Sequence, residues 1–260
     1  GRVFVGGYQA LPIGGYVAQW NGTAWAPASV NPSRCVVVNS MAVSPHGDTY
    51  ASGVFVNATG ATFTGLAKLE GGVWAPIVDL IGATTGTIFA ASNGDLITAT
   101  SINDSLLPQR GFAVRHNGVW TNPNKIPNGD VTCFAESADG SIYVGGGFSV
   151  VGGVAAKRII RWNGASWTPV GAGLTNPPTA DWPSGSSEKG DVRAMKVLAD
   201  GDLLAIGNFT LSGVTGVFAS MVPPDGTLPT VIASRQSVSN FLSSRSSRSS
   251  DGKVLIYGTL

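Results

Sequence analysis

The chain has 260 residues, 43% of them hydrophobic and only 12% charged, with 36 glycines, 15 prolines and a formal net charge of +1. A chain this apolar can bury a core, and one this weakly charged is a poor match for a phosphate backbone, so a nucleic-acid partner is disfavoured. No apolar stretch reaches the ~18 residues of a spanning helix, so no membrane insertion is expected.

From the first residues onward, a glycine opens a short strand: Gly1-Arg2-Val3-Phe4-Val5, then Gly47-Asp48-Thr49-Tyr50, Gly94-Asp95-Leu96-Ile97, Gly140-Ser141-Ile142-Tyr143, Gly201-Asp202-Leu203-Leu204 and Gly252-Lys253-Val254-Leu255. Successive spacings are 46, 47, 46, 61 and 51 residues. Trp25, Trp74, Trp120, Trp167 and Leu228 follow their glycines by 24 to 27 residues. Two markers that keep one period define a repeat. The repeats run over about 1–35, 36–82, 83–129, 130–190, 191–235 and 236–260.

Each whole repeat reads as four strands. The first is small and apolar, as in Thr132-Cys133-Phe134-Ala135, and an Asp/Asn-Gly turn leads to the second. The second ends in glycines, as in Gly145-Gly146-Gly147-Phe148. The third alternates, as in Arg158-Ile159-Ile160-Arg161-Trp162, and a two-residue turn such as Asn21-Gly22, Gly71-Gly72, Asn117-Gly118 or Asn163-Gly164 leads to the tryptophan strand. A four-stranded sheet has two apolar faces to cover, and stacking copies covers both. The expected fold is therefore all-β, a β-propeller of four-stranded antiparallel blades of about 47 residues, five to six in number, with a parallel β-helix second. Both ends carry the same strand, which points to cuts through a longer array rather than closure within the chain. The recurring tryptophan is expected to fill the gap between neighbouring sheets.

The run Ile160-Arg161-Trp162-Asn163-Gly164-Ala165-Ser166-Trp167, after Tyr143-Val144-Gly145-Gly146-Gly147-Phe148, resembles the kelch-like propeller repeats of large surface proteins. The fifth repeat, Asp200-Gly201-Asp202-Leu203-Leu204-Ala205-Ile206-Gly207-Asn208-Phe209, is similar to the delta-60 repeat. The second and third repeats depart from the pattern in lacking the double glycine. The resemblance implies a secreted or surface-anchored protein and specifies no chemistry.

Candidate chemistry is sparse. Cys35 and Cys133 fall at non-equivalent positions of different repeats and read as buried thiols. The two histidines, His46 and His116, lie in turns and do not announce a metal site, and Asp95, Asp139, Asp200, Asp225 and Asp251 are accounted for by turns. Glu70, Glu136 and Asp181 are joined by no glycosidase motif, and no turn shows a calcium shell. No catalytic residue, metal or cofactor is therefore assigned.

An insertion at about 175–190 carries Asp181 and Trp182, a candidate loop for stacking on a sugar or anchoring a partner. Asn21, Asn57, Asn103 and Asn208 head glycosylation sequons. The Ser/Arg tract at 243–250 reads as a solvated loop. Together these features predict a non-catalytic extracellular or cell-surface module that scaffolds a surface or fibre assembly. Its partners would be other protein subunits or glycans, with self-association into a fibre. A carbohydrate-binding, lectin-like propeller is the alternative.

Overall fold

The computed structural model describes residues 3–6, 17–29, 34–77, 85–100, 111–121, 127–171, 174, 191–211, 214–222, 230–234, 243–248 and 254–259. The chain forms two compact units, Gly1–Pro123 and Asn124–Leu260. In the first, β1 (Val3–Gly6), β2 (Val17–Trp20) and β3 (Trp25–Pro27) make a three-stranded sheet. β4 (Arg34–Val43), β5 (Thr49–Val56), β6 (Thr62–Glu70) and β7 (Val73–Pro76) make a four-stranded one. β8 (Thr85–Ala90), β9 (Leu96–Thr100), β10 (Gly111–His116) and β11 (Val119–Thr121) make the next.

In the second unit, β12 (Val131–Glu136) and β13 (Ile142–Gly146) precede a small hairpin, β14 (Val150–Val151) and β15 (Val154–Ala155). β16 (Ile159–Trp162) and β17 (Trp167–Pro169) then complete the four-stranded sheet. β18 (Asp191–Val197), β19 (Leu203–Leu211), β20 (Val214–Val222) and β21 (Thr230–Ser234) form another, and β22 (Ser243–Arg248) pairs with β23 (Val254–Thr259). All these pairings are antiparallel, between neighbours in sequence within each repeat. The Ser/Arg tract is corrected by this pairing. Ser243–Arg248 is a strand, matched residue for residue from Ser243 opposite Thr259 to Arg248 opposite Val254, because the ladder is made by the backbone and asks nothing of the side chains.

The turn between first and second strands is the same in all four whole repeats. Ser44 and Gly47, Ala91 and Gly94, Ser137 and Gly140, and Leu198 and Gly201 make matching backbone bonds at 2.8–3.1 Å. Their glycines lie at φ +79° to +93°, the left-handed region where a side chain is strained.

The hairpins before the tryptophan strand divide into two kinds. Gly71-Gly72 and Asn117-Gly118 are two-residue turns with both φ values positive, as expected. Asn21 and Asn163 instead open four-residue loops between paired tryptophans, Trp20 opposite Trp25 and Trp162 opposite Trp167. Each loop is closed by the Asn Oδ1, which accepts from Thr23 N, Thr23 Oγ1 and Ala24 N, or from Ala165 N, Ser166 N and Ser166 Oγ.

The cores lie between consecutive sheets. In the first unit, Val17 and Ala28 meet Val38, Phe55 and the fully buried Trp74, whose ring centroid is 5.4 Å from that of Phe55. Leu66 and Ile77 meet Ile88 and Leu96 of the following sheet. In the second unit Cys133, Tyr143 and Ile159 face Val192, Met195 and Leu203. A large side chain so buried contributes about 2 kcal/mol. The tryptophans are not equivalent: Trp74 fills such a gap, whereas Trp25 is 41% exposed.

Both cysteines are free and buried, and burial lifts each thiol from 9.0 to about 12. A raised thiol pKa favours the fold below its ordinary value, and that contribution is lost as pH rises from 9.0 towards 12. A disulfide-exchange reagent at pH about 8 is expected to leave both thiols unlabelled until the protein is denatured, when both react. Rapid labelling of the folded protein would contradict this burial.

Bulges tie neighbouring sheets together. The register of β8 on β9 slips between Thr85 and Ile88, and the freed groups turn to the preceding sheet. There Ser52 Oγ donates to Gly86 O at 2.8 Å, and Ser40 Oγ accepts from Ile88 N at 3.1 Å. β18 slips between Val192 and Ala194, and Val192 O accepts from Thr132 Oγ1 of the preceding sheet. In both units a hydroxyl of one repeat thus satisfies a bulged backbone group of the next.

Candidate functional site

The two ends of each sheet have different chemistry. At the end with the first–second turns, an acid meets a basic side chain of the third strand. Asp48 meets Lys68 at 3.1 Å, Asp95 meets His116 at 2.6 Å, and Asp139 meets Arg161. The bond from Asp48 raises the Lys68 pKa, and the bond from the Ser141 backbone lowers that of Asp139. Recurrence in three repeats marks these pairs as latches of the fold. Exposed pairs of this kind are worth up to about 1 kcal/mol.

The opposite end in the second unit is built differently. Residue 132 is an extra residue in β12 and residue 193 an extra residue in β18, so the first strands bend towards the second. The second strands can follow only without side chains. A Cβ on Gly146 would stand 2.0 Å from Asp130 O, and one on Gly207 would stand 2.1 Å from Asp191 O. Gly53 repeats this in the first unit, 1.8 Å from Val37 O. The glycine-rich stretch seen in the sequence is therefore a close approach of two backbones.

Into this end the chain brings a strained arginine. After the β14–β15 hairpin it passes through Lys157 at φ +40° and Arg158 at φ +80° before entering β16. Two successive left-handed residues that are not glycine cost about 1–2 kcal/mol each. Backbone bonds hold the bend: Arg158 N to Phe148 O at 2.9 Å, Gly146 N to Arg158 O at 3.0 Å, and Leu174 N to Lys157 O at 2.9 Å. The result places the Arg158 side chain in the interior, 4% exposed.

The Arg158 guanidinium lies near the carboxylate of Asp191. Burial lowers its pKa, and the nearby carboxylate of Asp191 partly offsets this. That carboxylate is itself engaged, accepting from Arg193 Nε at 3.1 and 3.3 Å. Asn128 braces the neighbouring hairpin, accepting from Ser149 N and Val150 N and donating to Ser149 Oγ. Two arginines and one shared carboxylate thus converge where the strands end, a set suited to an anion.

The residues expected from sequence to bind a ligand, Asp181 and Trp182, lie outside the described residues, as does the sequon at Asn103. Asn21 and Asn57 are in turns, each Oδ1 accepting the hydroxyl of the sequon threonine, at 2.9 and 2.7 Å. Asn208 is not in a loop. It sits in β19 opposite Asp191. Among the described residues no group of three or more His, Cys, Asp and Glu is placed to hold a metal. The sequence missed Arg158, which reads there as the ordinary start of an alternating strand.

No family model and no curated protein matches the chain. Solved structures do. The chain is similar to YCF48 bound to D1 peptide, with 15% identity over 98% of this chain and 70% of that one and a TM-score of 0.51. The fold is a β-propeller. Its four-stranded sheets are the blades, as the repeat had indicated. PorZ, a surface component of the type-IX secretion system of Porphyromonas gingivalis, matches with 12% identity over 90% of this chain and 32% of that one, at a TM-score of 0.50. The gluconolactonase XC5397 of Xanthomonas campestris has 12% identity over 93% of this chain and 75% of that one, at a TM-score of 0.47.

The expected non-catalytic scaffold, with its lectin-like alternative, is corrected by these matches. Gluconolactonases are among the solved structures this chain is similar to. The physical reason is that blades fix a frame, whereas chemistry resides in what their ends carry.

Proposed function

We propose that this propeller binds a small organic anion at the blade ends of its second unit, with the Arg158 guanidinium as the receiving group. One observation carries the reading: a charged side chain is 4% exposed, has its nearby carboxylate shared with Arg193, and sits on left-handed backbone. A buried charge is costly to hold, and strain that persists at such a point is the mark of a site rather than of a frame. A carboxylate fits the guanidinium fork in two-pronged fashion, and Arg193 adds a second positive group beside it.

The test is a thermal-shift titration with succinate and, separately, inorganic phosphate, on the wild type and on Arg158→Met. The wild type is expected to gain stability with at least one anion, and the variant to lose that response. Equal responses in both proteins would overturn the proposal. Acid release from an added lactone is followed in parallel; release that depends on Arg158 would extend binding to catalysis.

A further inference from the structure

The chain contains five Asn-Gly steps, at Asn21, Asn93, Asn117, Asn128 and Asn163. An Asn-Gly step can modify itself. The glycine nitrogen attacks the Asn side-chain carbonyl carbon, a C–N bond forms, and the bond to Nδ2 breaks. Ammonia leaves, carrying the proton released by the glycine N–H. Water then opens the resulting succinimide at either carbonyl, giving aspartate or isoaspartate. The balance is one water in and one ammonia out, with no oxidant or enzyme. Glycine favours the attack because it carries no side chain to obstruct the ring.

Closure of the ring requires the side-chain amide to swing round towards the following nitrogen. In four of the five steps the fold forbids this by holding Oδ1. Asn21 Oδ1 accepts from Thr23 N, Thr23 Oγ1 and Ala24 N. Asn163 Oδ1 accepts from Ala165 N, Ser166 N and Ser166 Oγ. Asn128 is tied to Ser149 and Val150 through both ends of its amide. Asn93 accepts from Asp95 N at 3.0 Å and donates to Asp95 Oδ2 at 2.9 Å.

Asn117 is different. It lies exposed at the tip of the β10–β11 hairpin at φ +47°, and among the described residues no backbone N–H donates to its Oδ1. Its side-chain contact is a donation from Nδ2 to His116 Nε2 at 3.0 Å. His116 Nδ1 in turn lies 2.6 Å from Asp95 Oδ1. The Asn117 amide is thus held by an exposed side chain, whereas the other four accept from backbone N–H groups.

We infer that Asn117 is the selective self-deamidation site among these five steps, because the backbone of its turn does not hold its amide. The product places a carboxylate where an amide donor faced Nε2 of His116. His116 then stands between two carboxylates, that of Asp95 and the new one, and its Nε2 loses the amide it faced. The modification thus changes the charge of the hairpin tip in one of the three latches.

The test is peptide mapping by mass spectrometry after incubation of the folded protein in warm, mildly alkaline buffer. The peptide containing Asn117 is expected to gain about 1 Da first, at a rate at least about tenfold above the other four steps, which corresponds to about 1.4 kcal/mol of barrier. In denaturant the five rates should converge, and Asn117→Gln should remove the leading event from the folded protein. Earlier modification of any other step would overturn the assignment. So would a lead of Asn117 that persists undiminished in denaturant, since sequence and not fold would then be its cause.

Discussion

Replacing Arg158 by methionine is expected to stabilise the protein by about 2 kcal/mol, because exchanging a buried charge for an apolar side chain of similar reach is commonly neutral or favourable by about 1–4 kcal/mol. For a domain of this size that raises the unfolding midpoint by about 5 °C. The guanidinium is in the interior, and the carboxylate near it is shared with Arg193. Methionine retains the unbranched stem, so packing around the bend at Lys157 and Arg158 is preserved, and the left-handed backbone is equally strained in both proteins. The difference between them is the charge. Urea unfolding of the two proteins measures it directly. A variant less stable by a similar amount would mean that the guanidinium has a structural partner, and the anion site would lose its basis.

The second large effect concerns adjacent glycines with opposite expectations. Gly146→Ala should cost about 3 kcal/mol, the upper part of the usual range for forcing an atom into a packed site. Its Cβ would lie 2.0 Å from Asp130 O and 3.0 Å from the Val131 Cα, both backbone atoms that no rotamer change can move aside. Gly207→Ala should cost as much, with Asp191 O at 2.1 Å and Val192 Cα at 2.8 Å. Gly147→Ala should be within about 0.5 kcal/mol of the wild type, in line with substitutions that meet no close contact. The nearest atom there is Asp191 Cβ at 4.0 Å. Equal effects at 146 and 147 would show that general backbone entropy, and not the approach of two strands, places glycine here.

The fold was legible because two markers kept one period, and sheet order in each whole repeat follows chain order. The two turn kinds were not told apart, since Asn21-Gly22 and Asn163-Gly164 read as two-residue turns; the signal lay in a spacing finer than the Asn-Gly pair itself. Where the tryptophan stands three residues after the first turn residue, as at Trp74 and Trp120, the turn has two residues; where it stands four after, as at Trp25 and Trp167, the Asn closes a longer loop. The double glycine could be seen but not explained, since its cause is a carbonyl more than ten residues away in sequence, brought near by a bulge. Arg158 was invisible for a related reason. The run Lys157-Arg158-Ile159-Ile160 carries no glycine or asparagine to signal left-handed backbone, and its conformation is imposed by bonds from Phe148, Gly146 and Leu174. Tertiary contacts, not local preference, decide such a residue.

The hydroxyls that reach across sheets make the repeats less interchangeable than their period suggests. Excising the blade that carries Ser40 and Ser52 would leave Gly86 O and Ile88 N of its successor facing a dry interior with nothing to bond. Losing the blade of Thr132 would strand Val192 O in the same way. Each orphaned group costs on the order of 1–3 kcal/mol. A lineage that gains or loses blades must therefore carry the donor along with the gap it fills, so duplication and deletion are favoured at junctions where the neighbour brings its own serine or threonine. Blades in this chain are inherited as matched neighbours, and a shuffled order would be penalised even with every hydrophobic contact restored.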